Sequence, residues 1–179
     1  MRRIVLISLV STALGVGPSV ASAGVCWRPP VTASVADPFR EPACRWCPGN
    51  RGIEYGTRRG DAVRAVAAGH VTFSGTVAGL GYVVIQHGHG LRATYGNLDD
   101  RAFEVGDVVA AGALIGHTAG AFHFGLRDGE RYVDPAPFIG RVVGVVRLVP
   151  LDGSAAAQSG GPRVVCDARP SVGFAKNTR

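Results

Sequence analysis

The sequence predicts an all-β fold, and three observations lead there. Between about Ile53 and Val133, short runs of Val, Ile, Phe and Tyr are cut by glycine every ~8–12 residues, the spacing of a sheet sandwich or barrel. Apolar and polar residues alternate within these runs, which sets one face of a strand against a core. Beyond the N-terminal leader no stretch carries a helical apolar period, so no helix longer than a turn or two is expected.

The elements follow in chain order. Arg2 and Arg3, the apolar run Ile4 to Val16, and Ala21-Ser22-Ala23 read as an export leader spanning residues 1–23. So short a run does not anchor stably in a bilayer, and no later stretch is apolar enough to cross one. The mature chain is therefore expected to be secreted, with no membrane contact after leader removal. Residues 24–48, rich in Pro and aromatics, are expected to lie extended on the domain surface. In His70-Val71-Thr72-Phe73-Ser74-Gly75, Val71 and Phe73 alternate with polar residues as a half-buried strand requires. Tyr82 to His87 suits an inner strand, pairing with Leu91 to Tyr95 across the turn His87 to Gly90. Glu104 to Gly112 reads as turn, short strand, turn, and Ala121 to Arg127 as the last core strand. Val142 to Leu151 adds an expected edge strand. Residues 152–162 are expected to be a flexible linker, and the tail from Pro162, with no packing pattern of its own, to be disordered unless Cys166 holds it.

Composition narrows the function. A chain of 179 residues has room for one ordinary domain. Its formal charge of +6 drops by two, to +4, once Arg2 and Arg3 leave with the leader. The arginines are scattered along the chain without interleaved aromatics, so nucleic acid is not an expected partner; attraction to an anionic envelope is. Lys176 is the only lysine, a bias that points to a GC-rich genome. Four cysteines, Cys26, Cys44, Cys47 and Cys166, suggest two disulfides in an exported chain, with three pairings open. A bridge from Cys166 to any of the other three would tie the tail to the core. Cys44-x-x-Cys47 also has the form of a redox motif or half a zinc site.

Val63-Arg64-Ala65, Gly69-His70-Val71 and Gly106-Asp107-Val108 share phrasing with biotinyl and lipoyl carrier domains. Those need a lysine at a hairpin tip, and Lys176 lies in the tail, so that reading is set aside.

The ordered series Asn50-Arg51-Gly52-Ile53-Glu54, Tyr95-Gly96-Asn97-Leu98, Ala121-Phe122-His123-Phe124 and Arg127…Tyr132-Val133-Asp134-Pro135 resembles the lysostaphin-type (LytM-like) peptidoglycan zinc peptidases. The likeness spans roughly residues 38 to 151. It implies a single lysostaphin-type, barrel-sandwich-hybrid-like sheet domain over 49–151. In that family a His-x-Gly-x-Asp segment and the second His of His-x-His hold zinc, leaving one position for the attacking water. Two further histidines handle the proton.

By that resemblance the metal positions fall on Asn50, Glu54 and His123, and only His123 is an unchanged ligand. Asn97 and Ala121 occupy the catalytic histidine positions, so no catalytic residue is retained. A neutral amide is a poor zinc ligand, and Glu54 carries its carboxylate one methylene further out. The resemblance thus implies a domain with no zinc or weak zinc that has lost hydrolysis, with a groove lined by Tyr95, Asn97, Glu54 and His123. Peptidoglycan or a cell-wall hydrolase is the implied partner. Two rivals stand beside it: an unconventional zinc peptidase recruiting His117, Cys44 or Cys47 to Glu54 and His123, and a scaffold whose pocket has closed. His70 and His89 read as surface residues. His87 falls in a strand of the family without being a ligand.

Overall fold

The computed structural model describes residues 25–44, 46–143 and 163–166. The expected leader, the linker and the end of the tail lie outside the described residues, as does most of the expected strand Val142 to Leu151.

The strands are β1 (Val35–Asp37), β2 (Gly52–Tyr55), β3 (Ala62–Arg64), β4 (Gly69–Val77), β5 (Leu80–His87), β6 (Leu91–Leu98), β7 (Val108–Val109), β8 (Leu114–Asp128), β9 (Arg131–Tyr132), β10 (Arg141–Val143) and β11 (Arg163–Val165). The expected all-β class holds, and the helical content of the described residues is two single 3-10 turns. The main sheet is antiparallel and runs β1-β2-β8-β6-β5-β4-β7, with β3 and β9 also paired to β8. β8 is the spine. Its 15 residues outrun the expected Ala121 to Arg127, because its N-terminal half carries β3 and its C-terminal half carries β2, β6 and β9.

Period-two alternation in β8 divides the molecule into two faces. Phe122, Phe124 and Leu126 point inward and are fully buried, joined by Ile53 and Tyr55 of β2, Ala93 and Tyr95 of β6, Val83 and Ile85 of β5, and Val71 of β4. The intervening residues, His123, Gly125 and Arg127, face the opposite side of the sheet, where the groove lies.

Two sequence expectations need correction. Phe73 does not follow Val71 into the core: Val71 pairs with Ile85 and Phe73 with Val84, so Thr72 is an extra residue. This β-bulge reverses the alternation and leaves Phe73 39% exposed on the groove face. The N-terminal segment is more than a surface strap. Trp27 and Val31 are buried core residues, Trp27 N–H donates to Phe138 O (2.8 Å), and β1 adds a strand beside β2. Where described, the tail is held as a Cys166 bridge would hold it: Cys166 is bonded to Cys26, and β11 pairs antiparallel with β10. The second disulfide joins Cys44 to Cys47.

His87, at the end of β5, is a buried core histidine. Its Nδ1 lies 2.9 Å from Ala68 O, and its ring sits 5.3 Å from that of Trp27. Burial pushes its imidazole below the ordinary histidine value. The unfolded chain thus takes up a proton near pH ~6.5 that the folded chain refuses. The resulting stability is present above that pH and is lost as the pH falls from there toward the depressed folded value. Urea unfolding between about pH 7 and about pH 5.5 should show this decline, and His87→Gln should flatten it; an unchanged slope would contradict the assignment.

Candidate functional site

Antiparallel pairing of β2 with β8 places Glu54 opposite His123, and pairing of β8 with β6 places Gly96 there as well. The His123 Nδ1–H donates to Glu54 Oε1 at 2.6 Å, with both side chains under one-third exposed. The imidazole lies directly over Gly52, where a Cβ would approach its Cε1 to 2.6 Å and its Nε2 to 2.9 Å. Gly52 is thus required by close approach and not by a turn. Gly96 does the same for Tyr82, whose ring carbon would lie 2.5 Å from an added Cβ.

Around this pair lies an open groove of about 660 Å3, within the size range of small-ligand sites. Phe73, Tyr82 and Val84 form an apolar shelf at one side, Thr94 and Gly125 line the floor, and Arg51, Arg92, Arg127 and Tyr132 bound the other side.

The expected site residues fare differently. Glu54, Asn97 and His123 line the groove. Asn97 has a positive φ of 62°, a conformation asparagine tolerates, and its Nδ2 donates to Ala121 O at 2.8 Å. It therefore braces the extra residues of β8 around Ala121, where the β6 register shifts between Gly96 and Leu98.

Asn50 is not placed as a ligand. It is buried, its Oδ1 accepts from Gly52 N–H at 3.2 Å, and its Nδ2 donates to Pro38 O at 3.1 Å and Asp37 Oδ2 at 3.3 Å. The amide has become a bracket between the β1 segment and β2.

Tyr95 does not line the groove either. β6 turns it to the inner face, where it is fully buried between Phe122 and Phe124. Its hydroxyl accepts from Val66 N–H at 3.0 Å, and burial pushes the phenol above its ordinary value. Tyr95→Phe should therefore cost about 1–3 kcal/mol of stability by orphaning a buried N–H, while leaving any ligand affinity of the groove unchanged. Chemical denaturation paired with calorimetry checks both halves.

The recruited ligands are also elsewhere. His117 Nδ1 contacts Asp100 Oδ2 at 2.8 Å, which holds the Asp100 carboxyl below the usual carboxylate range. Cys44 and Cys47 are bonded to each other.

Sequence reading missed the arginine-bounded side. Arg51 and Arg127 place their guanidinium carbons 5.7 and 4.2 Å from the Tyr132 ring centre, and Arg92 joins them through Glu130. Arginines scattered in sequence are gathered in space. The available signal was parity: Arg92, Thr94 and Gly96 share a face of β6, as His123, Gly125 and Arg127 do of β8.

The sequence profile described as Peptidase family M23 matches residues 48–135. Residues 48–135 belong to peptidase family M23. The chain is 32% identical over 137 residues to an uncharacterized protein of Mycobacterium tuberculosis, covering 69% of this chain and 53% of that one. It is 33% identical over 105 residues to the murein hydrolase activator EnvC of Escherichia coli, covering 54% of this chain and 24% of EnvC. The chain thus spans about half, or less, of these curated relatives. The catalytic domain of lysostaphin from Staphylococcus simulans superposes with a TM-score of 0.53 at 21% identity, covering 59% of this chain and 91% of that domain, a likeness of fold.

Zinc chemistry of the M23 kind asks for three protein ligands and an open fourth position. Among the described residues no three His, Cys, Asp or Glu side chains come together in that way. Glu54 and His123 are engaged with each other, and the Asn50 oxygen is engaged with Gly52. The donor set of this M23 domain does not fit the ion.

Proposed function

We propose that this M23 domain is a non-catalytic cell-wall protein that acts outside the cytoplasm, binding peptidoglycan peptide or regulating a wall hydrolase. The observation that carries the reading is the Asn50 amide: its nitrogen is held by Pro38 beside β1 and its oxygen by Gly52 of β2, where a hydrolase of this family needs a free imidazole. Loss of one metal ligand and of both proton-handling groups removes the water-activating chemistry, while the groove above the sheet persists. Persistence of that groove weighs against a purely structural scaffold. Two disulfides among the described residues support an oxidising compartment, in line with the expected leader. The likeness to EnvC, itself a murein hydrolase activator, supports a regulatory role.

The test is a paired assay on the purified mature chain. Co-sedimentation with isolated peptidoglycan, or stimulation of an added wall amidase, is expected, together with no clearing in a zymogram. Clearing that disappears in His123→Ala would overturn the reading.

A further inference from the structure

We propose that the arginine-bounded end of the groove recognises the free carboxylates of an extended acidic peptide, with Glu130 as a built-in placeholder. The proposal rests on the groove being a binding surface and names the chemistry that surface selects.

Three guanidinium groups converge there. Arg127 donates to the Tyr132 hydroxyl while its Cζ lies 4.2 Å from the ring centre. Arg51 approaches the same ring and also donates to Cys47 O at 3.4 Å, and Arg92 donates to Gly129 O at 2.7 Å. Tyr132 and these backbone carbonyls orient the forks, and planar forks held in place are suited to bidentate carboxylate recognition. Among the described residues, Glu54 is the one carboxylate lining the groove, and Glu130 stands at its arginine-bounded edge. Glu54 is already held by His123. Glu130, on the turn after β8, puts Oε1 2.7 Å from Arg92 and Oε2 3.7 Å from Arg127.

The Glu130 side chain is 87% exposed. Exposed ion pairs contribute little and are readily exchanged. Glu130 thus occupies the position a ligand carboxylate would take without the burial that would make it permanent.

The rest of the groove identifies the carrier of that carboxylate. Phe73, exposed by the Thr72 bulge, forms an apolar shelf with Tyr82 and Val84, and Thr94 and Gly125 leave the floor low. A peptide has side chains to set on the shelf while its carboxylates reach the arginines. A polyphosphate would use the arginines alone.

The experiment is calorimetry at low salt on the full mature chain. Three probes are used: an acetylated Ala-Glu-Ala-Glu peptide with a free C-terminus, its amidated Ala-Gln-Ala-Gln counterpart, and short-chain inorganic polyphosphate. The acidic peptide should bind at least about 10-fold more tightly than the neutral one. Glu130→Gln should tighten it by about 2–5-fold, the size of one exposed ion pair. Arg127→Gln should weaken it, with circular dichroism confirming the fold. Equal binding of both peptides would overturn the carboxylate proposal and leave the groove reading standing. Binding of neither peptide would overturn both. Polyphosphate binding more tightly than the acidic peptide would overturn the peptide as occupant, and an unchanged affinity in Glu130→Gln would overturn the placeholder.

Discussion

Replacing Cys26 and Cys166 together with alanine should lower the unfolding free energy by about 3–5 kcal/mol. The bridge closes a loop of 140 residues, nearly the whole domain, so the unfolded chain regains most of the freedom the crosslink removed. The folded side loses as well. Cys26 adjoins Trp27, whose N–H donates to Phe138 O and whose carbonyl accepts from Gly140 N–H, so one strap fixes the N-terminal segment and β10 together. Cys44→Ala with Cys47→Ala, which opens a separation of 3, should cost only about 2 kcal/mol by the same relation. Urea unfolding under non-reducing conditions measures both. A loss below about 1 kcal/mol for the Cys26–Cys166 pair would mean the crosslink merely decorates a frayed end.

Phe124→Ala should be comparably severe, at about 3–5 kcal/mol. Phe124 is fully buried on the spine strand, edge-on to Tyr95 at 5.3 Å and close to Phe122 at 6.5 Å. Five aligned strands cannot close over the void, because β2 and β6 are hydrogen-bonded to β8 on either side of it. The expected signature is a lower urea midpoint with an unchanged slope. A drop in slope would show that the sheet loosens as a whole.

The fold was legible because strand grammar is local. Glycine punctuation and period-two alternation located β5, β6 and β7, along with the inner face of β8, from neighbours a few residues apart. Three features escaped because each depends on residues distant in sequence. The Thr72 bulge is set by pairing with β5, so Phe73 reads as core until its partner is known. Trp27 becomes core only once Phe138 and Gly140 arrive to meet it. Tyr95 lies two residues from a catalytic position in the family pattern, and regular alternation would set both on one face; the register shift and positive φ at Asn97 break it, so Tyr95 points inward while Asn97 lines the groove.

The site divides along the same line. The expectation that Asn97 and Ala121 stand in place of the family's catalytic histidines comes from the sequence resemblance and needs no coordinates. The new occupation of Asn50, the mutual hold of Glu54 and His123, and the gathering of Arg51, Arg92 and Arg127 about Tyr132 and Glu130 are all products of register.

Metal content bears most directly on the proposed loss of hydrolysis. The purified chain would be exposed to excess zinc, dialysed, and assayed by mass spectrometry for bound ion alongside lysis of peptidoglycan. Far less zinc than protein, with no lysis, is the predicted result. Stoichiometric zinc retained through dialysis, lost in His123→Ala and required for lysis, would contradict it.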